Sequence, residues 1–194
     1  MSGKVRAHTN IALIKYWGKA DESLIIPMNN SLSVTLDKFY TETKVTFSPE
    51  YTKDILVLNG EEVNEEQSKK IYQFMNLVRE RSHTSHYAHI ESVNYVPTAA
   101  GLASSASAFA ALAGACNEAL NLNMSDKDLS RLARRGSGSA SRSIFGGFAE
   151  WDKGHDDETS YAHAIDAQGW EEDLSMVFVV INNKSKKVSS RSRS

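Results

Sequence analysis

The sequence predicts an α+β domain, and three observations carry that reading. Alternating and β-branched runs in the first sixty residues read as strands, an alanine-rich run near the middle repeats at helical spacing, and a wholly apolar run near the end reads as a strand again. In chain order, residues 31–36, 43–47 and 55–58 are the first strand candidates, and Asn59-Gly60 after the last suits a two-residue hairpin turn. Residues 69–81 form the first predicted helix, with Ile71, Phe74, Met75 and Val78 on one face. Residues 89–96 alternate like a strand and stop at Pro97. A second helix is expected over residues 104–120, where Ala106, Phe109, Ala110, Ala113, Cys116 and Leu120 recur at helical spacing. A third begins after Ser125, an N-cap residue followed by Asp126 and Asp128 in the first turn. Residues 144–151 and 176–181 return to strand character, and the apolar second run is expected to be buried on both faces.

Composition narrows the function classes. The 194 residues are 41% hydrophobic and 24% charged, which excludes wholesale disorder and collagen-like or coiled-coil character. No window approaches a membrane span, and residues 1–6 lack the apolar stretch of a secretory signal. The single cysteine, Cys116, has no partner for an internal disulfide, so a reducing intracellular home is expected. A formal charge of −2 argues against a nucleic-acid partner. That charge is uneven, because Lys184, Lys186, Lys187, Arg191 and Arg193 crowd the last eleven residues without an acidic neighbour.

The most informative local segment is P-T-A-A-G-L-A-S-S-A-S, residues 97–107, which joins a strand to the alanine-rich helix. A helix start offers unpaired N–H groups and the positive end of a dipole, which suits a polyphosphate. Gly101 permits close backbone approach, and Ser104 and Ser105 add hydroxyls for phosphate oxygens or a metal ion. No lysine follows as in a P-loop. Glycine and serine before an alanine-rich helix also make an ordinary cap, and local chemistry leaves both readings open.

Two further runs decide between them. One is A-H-T-N-I-A-L-I-K-Y-W-G-K at 7–19, and the other is R-G-S-G-S-A-S-R-S-I-F-G-G at 135–147. With the 97–107 turn between them, the chain closely resembles the mevalonate diphosphate decarboxylases of the GHMP kinase superfamily over nearly all its length. The glycine-serine turn marks the superfamily, whereas the other two runs select the decarboxylases.

The resemblance implies the ribosomal protein S5 domain 2-like fold of the GHMP-kinase N-terminal domain, a mixed β-sheet with packed helices spanning 1–184. Residues 185–194 would then begin the connection to a ferredoxin-like C-terminal domain that is absent. It also implies ATP-dependent decarboxylation of mevalonate 5-diphosphate to isopentenyl diphosphate, with ADP, phosphate and carbon dioxide released and Mg²⁺ accompanying the nucleotide. A cytoplasmic homodimer is implied as well.

Site roles follow from the same resemblance. Arg142 is expected on the substrate carboxylate, where a guanidinium fork makes a bidentate contact that lysine cannot copy. Ser137, Gly138, Ser139, Ala140 and Ser141 would line the substrate. Tyr16, Trp17, Gly18 and Lys19 would form the opposite wall, with Lys19 supplying charge near the diphosphate and the reacting hydroxyl. Asn10 would orient neighbouring polar groups, and Lys69, Ser190 and Arg191 would complete the substrate set. Ser92, Asn94, Gly101, Leu102, Ala103, Ser104, Ser105 and Ala106 are expected on ATP, with Ser104 also on the metal and, with Lys19 and Arg142, in the catalytic group. Taken singly, Tyr16 and Trp17 also read as core aromatics, Arg142 as a surface ion-pair residue and Lys69 as a solvated helix residue.

The family's catalytic aspartate lies in its C-terminal half, beyond Ser194, so this chain alone is expected to be inactive or weakly active. A GHMP small-molecule kinase without decarboxylation is the alternative enzyme, and Arg142 with its serines speaks against it. A third reading takes the Ser189–Ser194 Arg/Ser tail as an RNA binder, on a body too acidic to support it. His83, His86 and His89 share a helical spacing, but His89 falls in a strand, so zinc is not expected. Cys116 reads as packing, and Asp156-Asp157-Glu158 as a solvated loop.

Overall fold

A computed structural model describes residues 1–96 and 104–178. Its frame is a seven-stranded sheet in which β1 (Ser2–Ile14) and β4 (Ser31–Ser48) run antiparallel along most of their length. One end of β4 pairs with β7 (Tyr87–Tyr95), and its other end pairs with β8 (Phe148–Trp151). Beyond β7 lie β5 (Ile55–Leu58), parallel to it, and β6 (Glu61–Glu62), and beyond β8 lies β9 (Ala162–Ile165). A separate hairpin of β2 (Lys19–Asp21) and β3 (Ile26–Pro27) pairs with no strand of the sheet.

The two strands expected at 31–36 and 43–47 are one. The polar Asp37-Lys38 pair, which reads as a break, sits exposed where the register to β1 shifts between His8 and Asn10, and the strand continues past it. The predicted hairpin forms at Asn59-Gly60, with Leu58 opposite Glu61 and both turn residues at positive φ. β1 and β9 carry no strong alternation and were not anticipated.

Helix α1 (Glu65–Ser82) starts four residues before the predicted point, because Asn64 caps it by accepting from the Gln67 amide at 3.0 Å. Apolar periodicity does not register that polar first turn. α2 (Ser104–Ala119) and α3 (Asp126–Gly136) match expectation, and Ser125 caps α3 by accepting from the Asp128 amide at 3.2 Å. A strand expected from Ile144 begins only at Phe148, after a 3-10 helix (Gly138–Ile144). The helices lie on one face of the sheet. Their core joins Phe74, Met75 and Val78 of α1 and the alanines of α2 to Val45, Phe47 and Ile90. Cys116 belongs to this core, its thiol 3.8 Å from the Met75 sulfur and pushed up by burial.

A bidentate pair of Arg79 with the buried Asp54, at 2.9 and 2.8 Å, fixes α1 to the strands, since Asp54 also accepts from the Ala88 amide. The opposite face of the sheet carries exposed pairs such as Lys4 and Arg6 with Glu42. After a short helix α4 (Trp170–Asp173), the strand expected from 176 is absent over 176–178. Val177 is 84% exposed there, because no described strand runs alongside to pair with it, and residues 179–181 lie outside the described set. The domain boundary at 184/185 and the Arg/Ser tail also lie outside it. Among the described residues no helix is long and apolar enough to cross a membrane.

Candidate active site

The site is built where α3 ends. Gly136 lets that end press onto the Phe109 ring of α2, since a Cβ there would lie 2.0 Å from the ring. Ser137 then leaves the helix in an extended conformation and the chain tightens into the 3-10 helix. Its side chains alternate between two fates. Ser137 and Ser139 turn outward with their hydroxyls 3.4 Å apart, and Ser137 is also 3.4 Å from the exposed Ser105 hydroxyl in the first turn of α2. Ala140 and Ser141 turn inward and are fully buried, with the Ser141 hydroxyl donating to the Gly138 carbonyl. The Ala140 amide donates to the Ser137 carbonyl and the Ser141 carbonyl accepts from Ser130, so both residues build the turn from inside and neither lines its surface.

Arg142 also turns inward, where it is 2% exposed. Its Nε donates to Ser33 Oγ at 3.0 Å, one terminal nitrogen donates to Ser31 Oγ, and the other reaches Asn10 Oδ1 at 3.4 Å. Among the described residues no carboxylate pairs with it. Burial therefore pushes its pKa down to about 10, so it stays charged at neutral pH but poorly compensated. The surface ion-pair reading of Arg142 is overturned. Asn10 donates to the Ser139 carbonyl at 2.9 Å and to Ser143 Oγ at 2.7 Å, tying the guanidinium to the serine turn.

Tyr16 packs edge-on against Trp151, ring centroids 4.9 Å apart, and Gly138 sits beneath both. A Cβ on Gly138 would meet Trp151 at 2.8 Å and the Tyr16 hydroxyl at 3.1 Å. The core reading therefore fits Tyr16 in part but not Trp17, which is 74% exposed. Gly18, at positive φ, turns the chain into β2, and the Lys19 ammonium lies 2.5 Å from Glu22.

A cavity of about 600 Å³ opens between β5, β7, α1 and α2, lined by Asn59, Glu61, Ser92, Asn94 and Ala108 among others. Ser92 Oγ lies 2.9 Å from Thr43 Oγ1, and Asn94 Oδ1 accepts from Thr41 at 2.9 Å. Ala106 is buried in the core, with 1% of its surface exposed. Gly101, Leu102, Ala103, Ser190 and Arg191 lie outside the described residues, as does the Ser104 side chain.

This arrangement has close counterparts. The family model described as the diphosphomevalonate decarboxylase-like N-terminal domain matches residues 7–162. The chain belongs to that family. It is 40% identical to the human diphosphomevalonate decarboxylase over 197 residues, covering 93% of this chain and 48% of that protein. It is 39% identical to the Saccharomyces cerevisiae enzyme over 199 residues, covering 94% and 50%. The crystal structure of mevalonate diphosphate decarboxylase from Staphylococcus aureus superposes with a TM-score of 0.94 at 68% identity, over 98% of this chain and 57% of that one. The Enterococcus faecalis enzyme, solved in a study of mevalonate-diphosphate-mediated ATP binding, gives 0.86 at 68% identity, over 88% and 53%. A further structure, holding MVAPP, AMPPCP and magnesium, gives 0.94 at 66% identity, over 99% and 59%. The chain thus spans about half the length of the curated relatives it matches.

Several residues around this decarboxylase-family site escaped the sequence reading. Ser31 and Ser33 alternate on one buried face of β4, and two buried hydroxyls on a strand signal an unseen polar partner. Trp151 gave no signal beyond its strand. Lys69 is exposed on a surface groove of α1, whereas its neighbour Lys70 turns toward α2, 4.8 Å over the Phe109 ring. Asp157 corrects the solvated-loop reading. It pairs with Arg134 at 2.5 Å, Arg131 at 2.9 Å and Arg81 at 3.2 Å.

Proposed function

We propose that this protein binds mevalonate 5-diphosphate and ATP for ATP-dependent decarboxylation to isopentenyl diphosphate. The observation that carries the reading is the buried Arg142 guanidinium, held by neutral oxygens and lacking an internal anion. A carboxylate from a ligand would supply the missing charge at low local dielectric, where it counts for most.

Arg142 then binds the substrate carboxylate, and Asn10 holds it beside the serine turn. Ser137, Gly138 and Ser139 donate hydroxyl and amide hydrogens to the diphosphate, with Lys19 released from Glu22 to face it. Ser105 and the N-terminal turn of α2 point the nucleotide phosphates toward that turn, 3.4 Å away at Ser137. Ser92 and Asn94 border the nucleotide in the adjoining cavity. Lys70 is better placed than Lys69 to offset phosphate charge.

The donor set fits magnesium brought by the nucleotide. Among the described residues no group of three or more acidic, histidine or cysteine side chains could hold an ion, and Mg²⁺ commonly relies on substrate phosphates with one or two protein oxygens. Ser104 would supply such an oxygen. When bound, the ion neutralises charge on the transferring phosphoryl group.

Titrating mevalonate diphosphate and AMPPCP separately into the protein tests the assignment. Arg142→Lys is expected to weaken the first roughly 10- to 100-fold and leave the second within about twofold. Equal loss of both overturns the carboxylate role. In a form spanning the relatives' full length, carbon dioxide release alongside ADP separates a decarboxylase from a plain kinase. Sedimentation tests the homodimer that the family resemblance suggests.

A further inference from the structure

Arg134 is as buried as any of the described residues, yet none of the binding roles above uses it. Its exposure is 0%, and its guanidinium makes three separate attachments. Nε donates to the Leu24 carbonyl at 3.0 Å, one terminal nitrogen donates to the Ser160 carbonyl, and the other meets Asp157 Oδ1 at 2.5 Å. Leu24 lies in the turn of the β2–β3 hairpin, and that hairpin carries Lys19. A two-stranded ribbon outside the main sheet is marginal by itself, so its few attachments decide where it sits.

The second attachment reaches the same wall from the other end. Ser160 Oγ accepts from Trp151 Nε1 at 3.1 Å, and the Trp151 ring supports Tyr16 and Gly138. Arg134 therefore holds both the shelf under Tyr16 and the hairpin beyond Gly18. Asp157 fixes Arg134 in turn, and is itself braced by Arg131 from α3 and Arg81 from α1.

We propose that Arg134, held by Asp157, is a positioning residue that sets the Tyr16–Lys19 wall against the serine turn. The proposal rests on the substrate-site reading above. It assigns to the arginine cluster the placement of the hairpin and not the contact with substrate.

The test compares Asp157→Asn with Asp54→Asn, which weakens the Arg79–Asp54 pair, in the 194-residue chain. Amide hydrogen exchange over residues 19–27 and titrations with mevalonate diphosphate and AMPPCP are the readouts. Asp157→Asn is expected to speed exchange in the hairpin and weaken mevalonate diphosphate roughly 10-fold or more, with AMPPCP within about twofold. Asp54→Asn is expected to lower the unfolding temperature without changing the ratio of the two affinities. Arg134→Lys keeps a charge for Asp157 but cannot reach Leu24 and Ser160 together, so it should reproduce the Asp157→Asn pattern. Unchanged hairpin exchange, or equal loss of both ligands, overturns the positioning role. Failure of the unsubstituted protein to bind mevalonate diphosphate overturns the site reading instead, and the exchange measurement keeps the two failures apart.

Discussion

Arg134 and Arg142 lie eight residues apart, are equally buried and are both pushed down to about 10 by burial, yet they differ in what surrounds them. Arg134 meets a carboxylate, Asp157, and the backbone carbonyls of Leu24, Ser160 and Asp157. Arg142 meets two serine hydroxyls and an asparagine amide. A buried cation neutralised inside the fold holds structure together. One left with neutral partners is stored electrostatic potential that an arriving anion can discharge. Burial and pKa alone do not separate the two roles, whereas the identity of the partner oxygens does.

The largest expected contrast comes from removing each charge. Arg134→Met leaves Asp157 short of its closest cation and the Leu24 and Ser160 carbonyls unmet, and should cost about 3–5 kcal/mol in denaturant unfolding. Arg142→Met removes an uncompensated charge, and should change unfolding stability by less than about 2 kcal/mol while abolishing detectable mevalonate diphosphate binding. A comparable stability loss at both positions would erase the distinction.

A smaller effect is expected at Gly138, which lies between the two arginine systems. Gly138→Ala forces a methyl onto the Trp151 ring and the Tyr16 hydroxyl. It should destabilise by about 1–3 kcal/mol and weaken mevalonate diphosphate more than AMPPCP. Equilibrium unfolding and paired titrations check both parts.

Acid sharpens the Arg134 side. Burial raises the Asp157 carboxyl pKa, but its hydrogen bonds with Arg131 and the charges of Arg134, Arg81 and Arg131 outweigh that and hold it below the ordinary 3.8. The contribution of this carboxylate is therefore complete above about pH 4 and disappears as pH falls through the lowered value. Amide protection in residues 19–27 should persist down to about pH 4 and be lost below it. Loss already at pH 5–6 would exclude Asp157 as the group responsible. Smallest of all, Lys69→Ala should leave stability within about 0.5 kcal/mol and both affinities unchanged, as an exposed helix position allows. Lys70→Ala should lower AMPPCP affinity.

Much of the fold was legible because the signals are local. The α2 alanines, the Ser125 cap and the Asn59-Gly60 turn each depend on a few neighbouring residues, and each forms as expected. The continuity of β4 and the 3-10 helix were not legible. A register shift against β1 absorbs Asp37-Lys38, and contact with Trp151 and Phe109 shapes the chain around 136–144. At the site, the family resemblance carried by the two motif runs pointed to Asn10, Ser137, Ser139 and Arg142, and hydrogen bonds tie Asn10 to Arg142 and to the serine turn. Ser31, Ser33 and Trp151 join them only across the sheet, more than a hundred residues away in sequence for the two serines.

By itself, then, the sequence determined the fold class, the helices and the family whose motifs it carries, because local spacing and residue chemistry encode them. Tertiary structure alone decided which arginine is neutralised and which is not. That outcome depends on whether distant strands present a carboxylate or a pair of hydroxyls to a guanidinium that burial has stripped of water, and no local pattern around either arginine records it.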